Sequence, residues 1–202
     1  MDIDELSVLQ AVRLKGRVTE ADLATTLLAD PAPVTAMISN LTARGLLQGS
    51  GLVRLTDSGR QRLADLLAAE RMDLDTSLVA TGYEDFRPIN AAFKAVITDW
   101  QIRNGEMNDH SDAGYDGDVI ARLHGVNSEV MPVIERLAGQ LPRLRQYSAK
   151  LATALSRIDA GEAMWFTRPM VDSYHTVWFE LHEVLIEAAG LTRTEEAQAG
   201  HG

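Results

Sequence analysis

The chain has 202 residues, a formal net charge of −10, 46% apolar and 24% charged residues, and no cysteine. That length accommodates two small domains, or one domain with a long extension. Disulfides and thiolate metal sites are excluded, as is a membrane span built from roughly 18 or more consecutive apolar residues. The acidic total argues against a generic nucleic-acid binder, but the charge is unevenly placed. Residues 1–66 hold seven Lys/Arg against eight Asp/Glu, and residues 67–202 hold twelve against twenty-one. The opening Met1-Asp2-Ile3-Asp4-Glu5 is acidic and has no basic-then-apolar leader pattern, so a cytoplasmic protein is the expectation.

In chain order, Leu6 to Leu14 shows apolar residues at helical spacing and stops at Gly16. Thr19-Glu20-Ala21-Asp22 reads as a capping box opening a second helix with Leu23, Leu27 and Leu28. After a proline-containing turn, Pro33 is the expected start of a third helix, with Val34, Met37, Ile38 and Leu41 inward and Gly45 as its stop. The stretches 45–48 and 52–56, separated by Gly49-Ser50-Gly51, predict a small hairpin. Thr56 then caps a helix to about Arg71 with a Leu63, Leu66, Leu67 stripe.

Helix, helix, helix, hairpin, helix is a winged helix-turn-helix order. The strings LATTLLADPAPVTAMISNLTARGLL and VRLTDSGRQRL resemble the MarR-type regulators, in which the third helix leads into a wing closed by Leu-Thr-x-x-Gly. The likeness spans residues 4–70 and implies a DNA-binding transcription regulator. The wing departs from that family: its Asp-x-Arg pair and several basic residues are replaced by Gly-Ser-Gly, with only Arg54 nearby.

Beyond Arg71 the pattern is helical: helices about 73–85 and 88–103, a polar loop 104–118, then helices about 118–139, 142–159 and 168–189. The tail 192–202 reads as disordered. The segments TDWQIRNGEMNDHSDAGYD and RPMVDSYHTVWFELHE are similar to a helical segment appended to some actinobacterial pyruvate phosphate dikinase-like enzymes. That likeness implies a partner or regulatory module, without those enzymes' chemistry. The expected architecture is mainly α: a winged helix-turn-helix domain over 1–71, an all-helical effector or dimerisation domain over 72–191, and the tail.

On the third helix the outward Thr35, Ser39 and Asn40 suit contact with double-stranded DNA, Ser39 and Asn40 at base edges and Thr35 at phosphate. Arg44 and Arg54 complete the set as phosphate partners; the plainer reading is a solvated helix face. Asp99 and Arg103, one helical turn apart, are expected to pair. Asn108, Asp109 and His110 crowd the loop that follows, where turn formation competes with ligand or metal binding. Asp172, His175 and His182 fall at spacings that place them on one face of an otherwise apolar helix. Convergence of that face with the loop would build a polar pocket for a small-molecule effector; hydrogen-bonded core histidines are the alternative. No nucleophile elbow, phosphate loop or dinucleotide fingerprint is present, so neither an enzyme nor a cofactor is expected. The reading is a homodimeric, ligand-responsive DNA-binding regulator. The competing one is a protein–protein adaptor for a phosphoenolpyruvate-utilising enzyme, and a metal-dependent hydrolase comes third.

Overall fold

A computed structural model describes residues 3–169 and 171–198 and divides the chain into two compact units, 1–73 and 74–202. The protein is mainly helical with a small sheet, and no described helix is long and apolar enough to cross a membrane.

In unit 1, α1 (Glu5–Lys15) is capped by the Asp4 carboxylate accepting from the Ser7 amide at 2.7 Å and closed by Gly16 at φ 72°. β1 (Val18–Thr19) leads into α2 (Glu20–Thr26), where Thr19 caps the helix as expected but Asp22 returns its bond to the Thr19 hydroxyl and not to the Thr19 amide of a full capping box. The Asp22 amide donates to Thr19 Oγ1 at 3.1 Å, and that hydroxyl donates to the Asp22 carboxylate at 2.7 Å. α2 ends sooner than expected: Leu28 lies outside it, at φ 51° and 54% exposed. α3 (Pro31–Ala43) starts at Pro31 rather than Pro33. Both prolines fit in the first turn, where the missing N–H groups would have had no intrahelical acceptor.

β2 (Leu47–Gln48) and β3 (Leu52–Leu55) form the hairpin, and α4 (Asp57–Met72) follows. β1 adds to β3, giving an antiparallel order β1-β3-β2 with Val18 opposite Val53 and Leu47 opposite Leu55. Thr56 locks the corner. Its hydroxyl donates to the Gly45 carbonyl at 2.7 Å and accepts from the Gly59 amide at 2.9 Å. A Cβ at Gly59 would sit 2.0 Å from the Leu46 carbonyl oxygen, so the last residue of Leu-Thr-x-x-Gly has to lack a side chain. Leu9, Leu23, Val34, Leu41, Val53 and Leu63 fill the core these elements enclose.

Unit 2 corrects the expected boundaries. One helix, α5 (Thr76–Gln101), replaces the two anticipated and runs through Pro88. The buried row Phe86, Ile89, Phe93, Val96 and Trp100 continues along one face, while Pro88 is exposed. Packing of that row overrides the local cost of the proline. The expected loop contains a second hairpin, β4 (Ile102–Arg103) with β5 (Glu106–Met107). Its turn, Asn104-Gly105, has φ of 52° and 85°, the backbone that Asn-Gly favours between paired strands. α6 (Ala113–Ala138) starts earlier than expected, capped by Asp112. It runs antiparallel to α5: Gly82 meets Leu137 near one end, and Arg122 meets Asp99 near the other.

A single 3-10 turn (Pro142–Leu144) precedes α7 (Arg145–Asp159). The anticipated helix 168–189 is instead α8 (Met164–Thr167) and α9 (Tyr174–Ala188), the latter capped by Ser173 accepting from the Thr176 amide. The tail is not disordered over its described part: Arg193–Gln198 forms α10, with Glu196 2% exposed. Glu196 accepts from the Tyr83 hydroxyl at 2.6 Å and from Arg87 at 2.7 Å, which holds a segment too polar to dock by apolar burial. Residues 199–202 lie outside the described residues.

Candidate nucleic-acid interface and ligand pocket

α3 buries Val34, Ile38 and Leu41 and exposes Thr35, Ser39 and Asn40. Thr35 is tied back, its hydroxyl donating to Glu20 at 2.9 Å. Arg44 donates to Glu5 at 3.0 Å, and the same carboxylate accepts from Arg62 at 2.9 Å. The Arg62 hydrogen bond, outweighing the opposing effect of burial, holds the Glu5 carboxyl below its usual range. Arg44 therefore shares its charge with a carboxylate, which weakens its attraction for a phosphate. Arg54 stands on β3 in a groove of about 620 Å³, with Arg13 and Lys15 from α1, Arg17 before β1 and Arg60 from α4. The sequence reading counted only Arg54 here. Arg17 is brought there by β1 joining β3, and a two-residue strand leaves no alternation to read; Arg60 bonds the Leu55 carbonyl at 3.3 Å, and Arg13 and Lys15 arrive with α1.

In unit 2 the expected Asp99–Arg103 pair does not form. Arg103 bonds Asp112 at 2.6 Å, and Asp99 bonds Arg122 at 2.7 Å. The hairpin after α5 turns Arg103 away from the helical register the spacing assumed. Asn108 is buried, its amide donating to the Trp100 carbonyl at 3.1 Å and to Asp116 at 3.0 Å. His110 Nδ1 is 3.0 Å from the other Asp116 oxygen, and its ring packs 4.4 Å from that of Trp100. Asp109 accepts from the hydroxyl and amide of Ser111, which keeps its carboxyl below the usual range. These bonds close the loop on itself, with turn-forming carboxylates and a packed histidine. Among the described residues no group of three or more His, Cys, Asp or Glu is placed to hold a metal ion.

Asp172 precedes α9 instead of sharing its face, 3.3 Å from the buried Lys150 ammonium. The loop does not converge with α9. His175 packs on Phe93, and His182 on Tyr83 and Phe86, rather than meeting Asp99, Asp109 or His110. The two histidines instead line one cavity of about 180 Å³ with Asn90, Phe93 and Lys94 of α5, Trp178 and Phe179 of α9, and Arg193 of α10.

Tyr83 donates to Glu196, so the 3.1 Å contact between its oxygen and His182 Nε2 requires Nε2 to carry the proton. Burial, aided by Arg193, pushes the His182 pKa down to about 4, and burial also lowers that of His175. Both rings are neutral at pH 7. Trp178 Nε1 donates to Asn90 at 2.9 Å. Arg193 bonds Glu183 through Nε and lies over the Phe179 ring at 4.4 Å. Its Nη2 is buried and has no hydrogen-bond partner, although the side chain as a whole is 41% exposed. Phe93 and Trp178 read as core stripe in the sequence, and Arg193 fell in the tail set aside as disordered. Comparison with protein-family models, with curated proteins and with solved structures gave no match for this chain.

Proposed function

We propose that the protein is a DNA-binding transcription regulator of MarR-like winged helix-turn-helix type, with unit 2 serving ligand sensing or dimerisation. The observation that carries this reading is the three-helix scaffold of unit 1, with its strand order β1-β3-β2 and the exposed polar face of α3. Ser39 and Asn40 are suited to base edges, Asn40 to adenine. Arg54, Arg17 and Lys15 are suited to phosphate beside the wing. A homodimer would set two α3 helices about 34 Å apart, one turn of DNA.

A second reading is favoured by exposed apolar side chains. Leu28 beside the α2–α3 groove and Leu52 near the wing tip are 54% and 51% exposed, a surface suited to protein contact in an adaptor. Selection from a pool of random-sequence duplexes, followed by titration of the enriched duplex across salt, separates the two. The regulator reading expects an enriched motif and a linear fall of log affinity with log salt. It also expects Asn40→Ala to lose sequence preference while Arg54→Ala weakens all sequences alike. Absence of both enrichment and low-salt retardation overturns it in favour of the adaptor.

A further inference from the structure

Residues 1–66 carry seven cationic side chains, and five of them line one groove: Arg13 and Lys15 of α1, Arg17 before β1, Arg54 of β3 and Arg60 of α4. The other two, Arg44 and Arg62, share the Glu5 carboxylate. The same stretch holds eight acidic residues, yet no Asp or Glu among the described residues lines the groove. Arg60 bonds Asp57 and the Leu55 carbonyl, and Arg13 bonds Gln10 through Nε. Arg17 and Arg54 are exposed and make no side-chain hydrogen bond or ion pair among the described residues.

Like charges gathered in a cleft repel one another at a cost to the fold, and a cleft lined by one sign of charge concentrates ions of the other. The groove therefore favours an anion of high charge density. Its volume of about 620 Å³ lies within the range of small-molecule sites. Its lining has no aromatic ring, and Val12 and Leu55 are 0% and 6% exposed, so nothing there stacks a base or holds an apolar body. Guanidinium groups match the paired oxygens of phosphate. A chain of directly linked phosphates packs its charge more densely than a duplex strand, where a sugar separates each phosphate from the next. No residue of α3 lines the groove, which keeps it apart from the face that carries Ser39 and Asn40.

We infer that this groove binds a free oligophosphate, a short chain of linked phosphates held by Arg17 and Arg54 with Lys15 and Arg60 beside them. On the regulator reading, on which this second step rests, the ligand competes with duplex backbone for Arg17 and Arg54 and so releases DNA. Binding of the oligophosphate itself does not depend on that reading.

The test is calorimetric titration of the full chain, at constant ionic strength, with orthophosphate, pyrophosphate, tripolyphosphate and adenosine triphosphate. Affinity is expected to rise with each added phosphate and to reach a dissociation constant on the order of 0.1 mM for tripolyphosphate. Adenosine triphosphate should bind no more tightly than tripolyphosphate, since the lining offers its base no partner. Arg17→Gln and Arg54→Gln should each weaken tripolyphosphate about threefold or more, and together about tenfold or more. Both positions are exposed, so the variants should keep the parent's circular dichroism. Arg62→Gln, outside the groove, should leave the affinity unchanged. No saturation below about 10 mM, equal affinity for orthophosphate and tripolyphosphate, tighter binding of adenosine triphosphate, or undiminished affinity in the folded double variant overturns the assignment. Where selection has enriched a duplex, tripolyphosphate should displace it and chloride of equal ionic strength should not; failure to displace overturns the competition. A successful titration without an enriched duplex refutes the regulator alone, and a failed titration beside an enriched duplex refutes the oligophosphate alone.

Discussion

Gly59 lies in the first turn of α4, where an alanine would ordinarily raise helix stability by about 1 kcal/mol. Tertiary geometry reverses the sign. The added Cβ would lie 2.0 Å from the Leu46 carbonyl oxygen and 3.2 Å from Leu55 Cδ2, so α4 and β2 have to separate by more than about 1 Å to reach normal contact. That same oxygen accepts from the Thr56 amide at 3.1 Å and the Thr56 hydroxyl at 3.2 Å, and separation strains both bonds. Overpacking of this kind costs about 1–3 kcal/mol, and each weakened bond up to about 1 more. Set against the helix gain of about 1 kcal/mol, mid-range values of these terms put the net destabilisation of Gly59→Ala at about 2 kcal/mol, a large share of what a unit this size holds in reserve.

Urea unfolding resolves where the loss falls. All three tryptophans, Trp100, Trp165 and Trp178, lie in unit 2. Circular dichroism therefore reports both units and tryptophan fluorescence only the second. Gly59→Ala should move the dichroism transition to lower urea and leave the fluorescence transition in place. Gly125→Ala, in α6 with open space around the site, should do the opposite and stabilise unit 2 by up to about 1 kcal/mol. A Gly59→Ala protein as stable as the parent would refute the claim that this glycine is required by close backbone approach.

Two further outcomes are expected. The His182 pKa falls from 6.5 to about 4 on folding, so the unfolded chain takes up a proton first as pH drops. The stability due to neutral His182 is fully present above about pH 6.5 and declines by about 3 kcal/mol toward pH 4. The groups facing it include Tyr83 and Lys94 of α5, Glu183 of α9, and Arg193 and Glu196 of α10. Urea midpoints of the parent and His182→Gln, compared between pH 7 and 4, should show the smaller acid loss in the variant; parallel curves would exclude His182 as the cause. Glu5→Gln releases Arg44 and Arg62 from their shared carboxylate at a stability cost of about 1 kcal/mol, since both arginine side chains are more than 40% exposed although Glu5 itself is 20% exposed. On the regulator reading it should tighten duplex binding and steepen the salt dependence by about one ion, as measured by fluorescence anisotropy; unchanged affinity would show that Arg44 does not reach the backbone.

The elements of unit 1 were legible in the sequence because each carries its own local signal. Thr19 and Thr56 cap helices through bonds to amides three residues on, and Gly16 and Gly45 take the positive φ that ends a helix. The Val34, Ile38, Leu41 spacing already fixed which side of α3 faces the core. Tertiary structure decided everything that depends on a distant partner. Continuation of α5 through Pro88 follows from burial of the row that flanks it, with Phe86 and Phe93 packed on Trp178 of α9, and α10 exists because Glu196 finds Tyr83 and Arg87 more than a hundred residues away. The cavity joins residues 90–94, 175–182 and 193, and the basic groove draws its cations from α1, the residue before β1, β3 and α4. Short-range periodicity reports which face of an element is buried, whereas a site is set by which faces meet, and that information lies in contacts far apart along the chain.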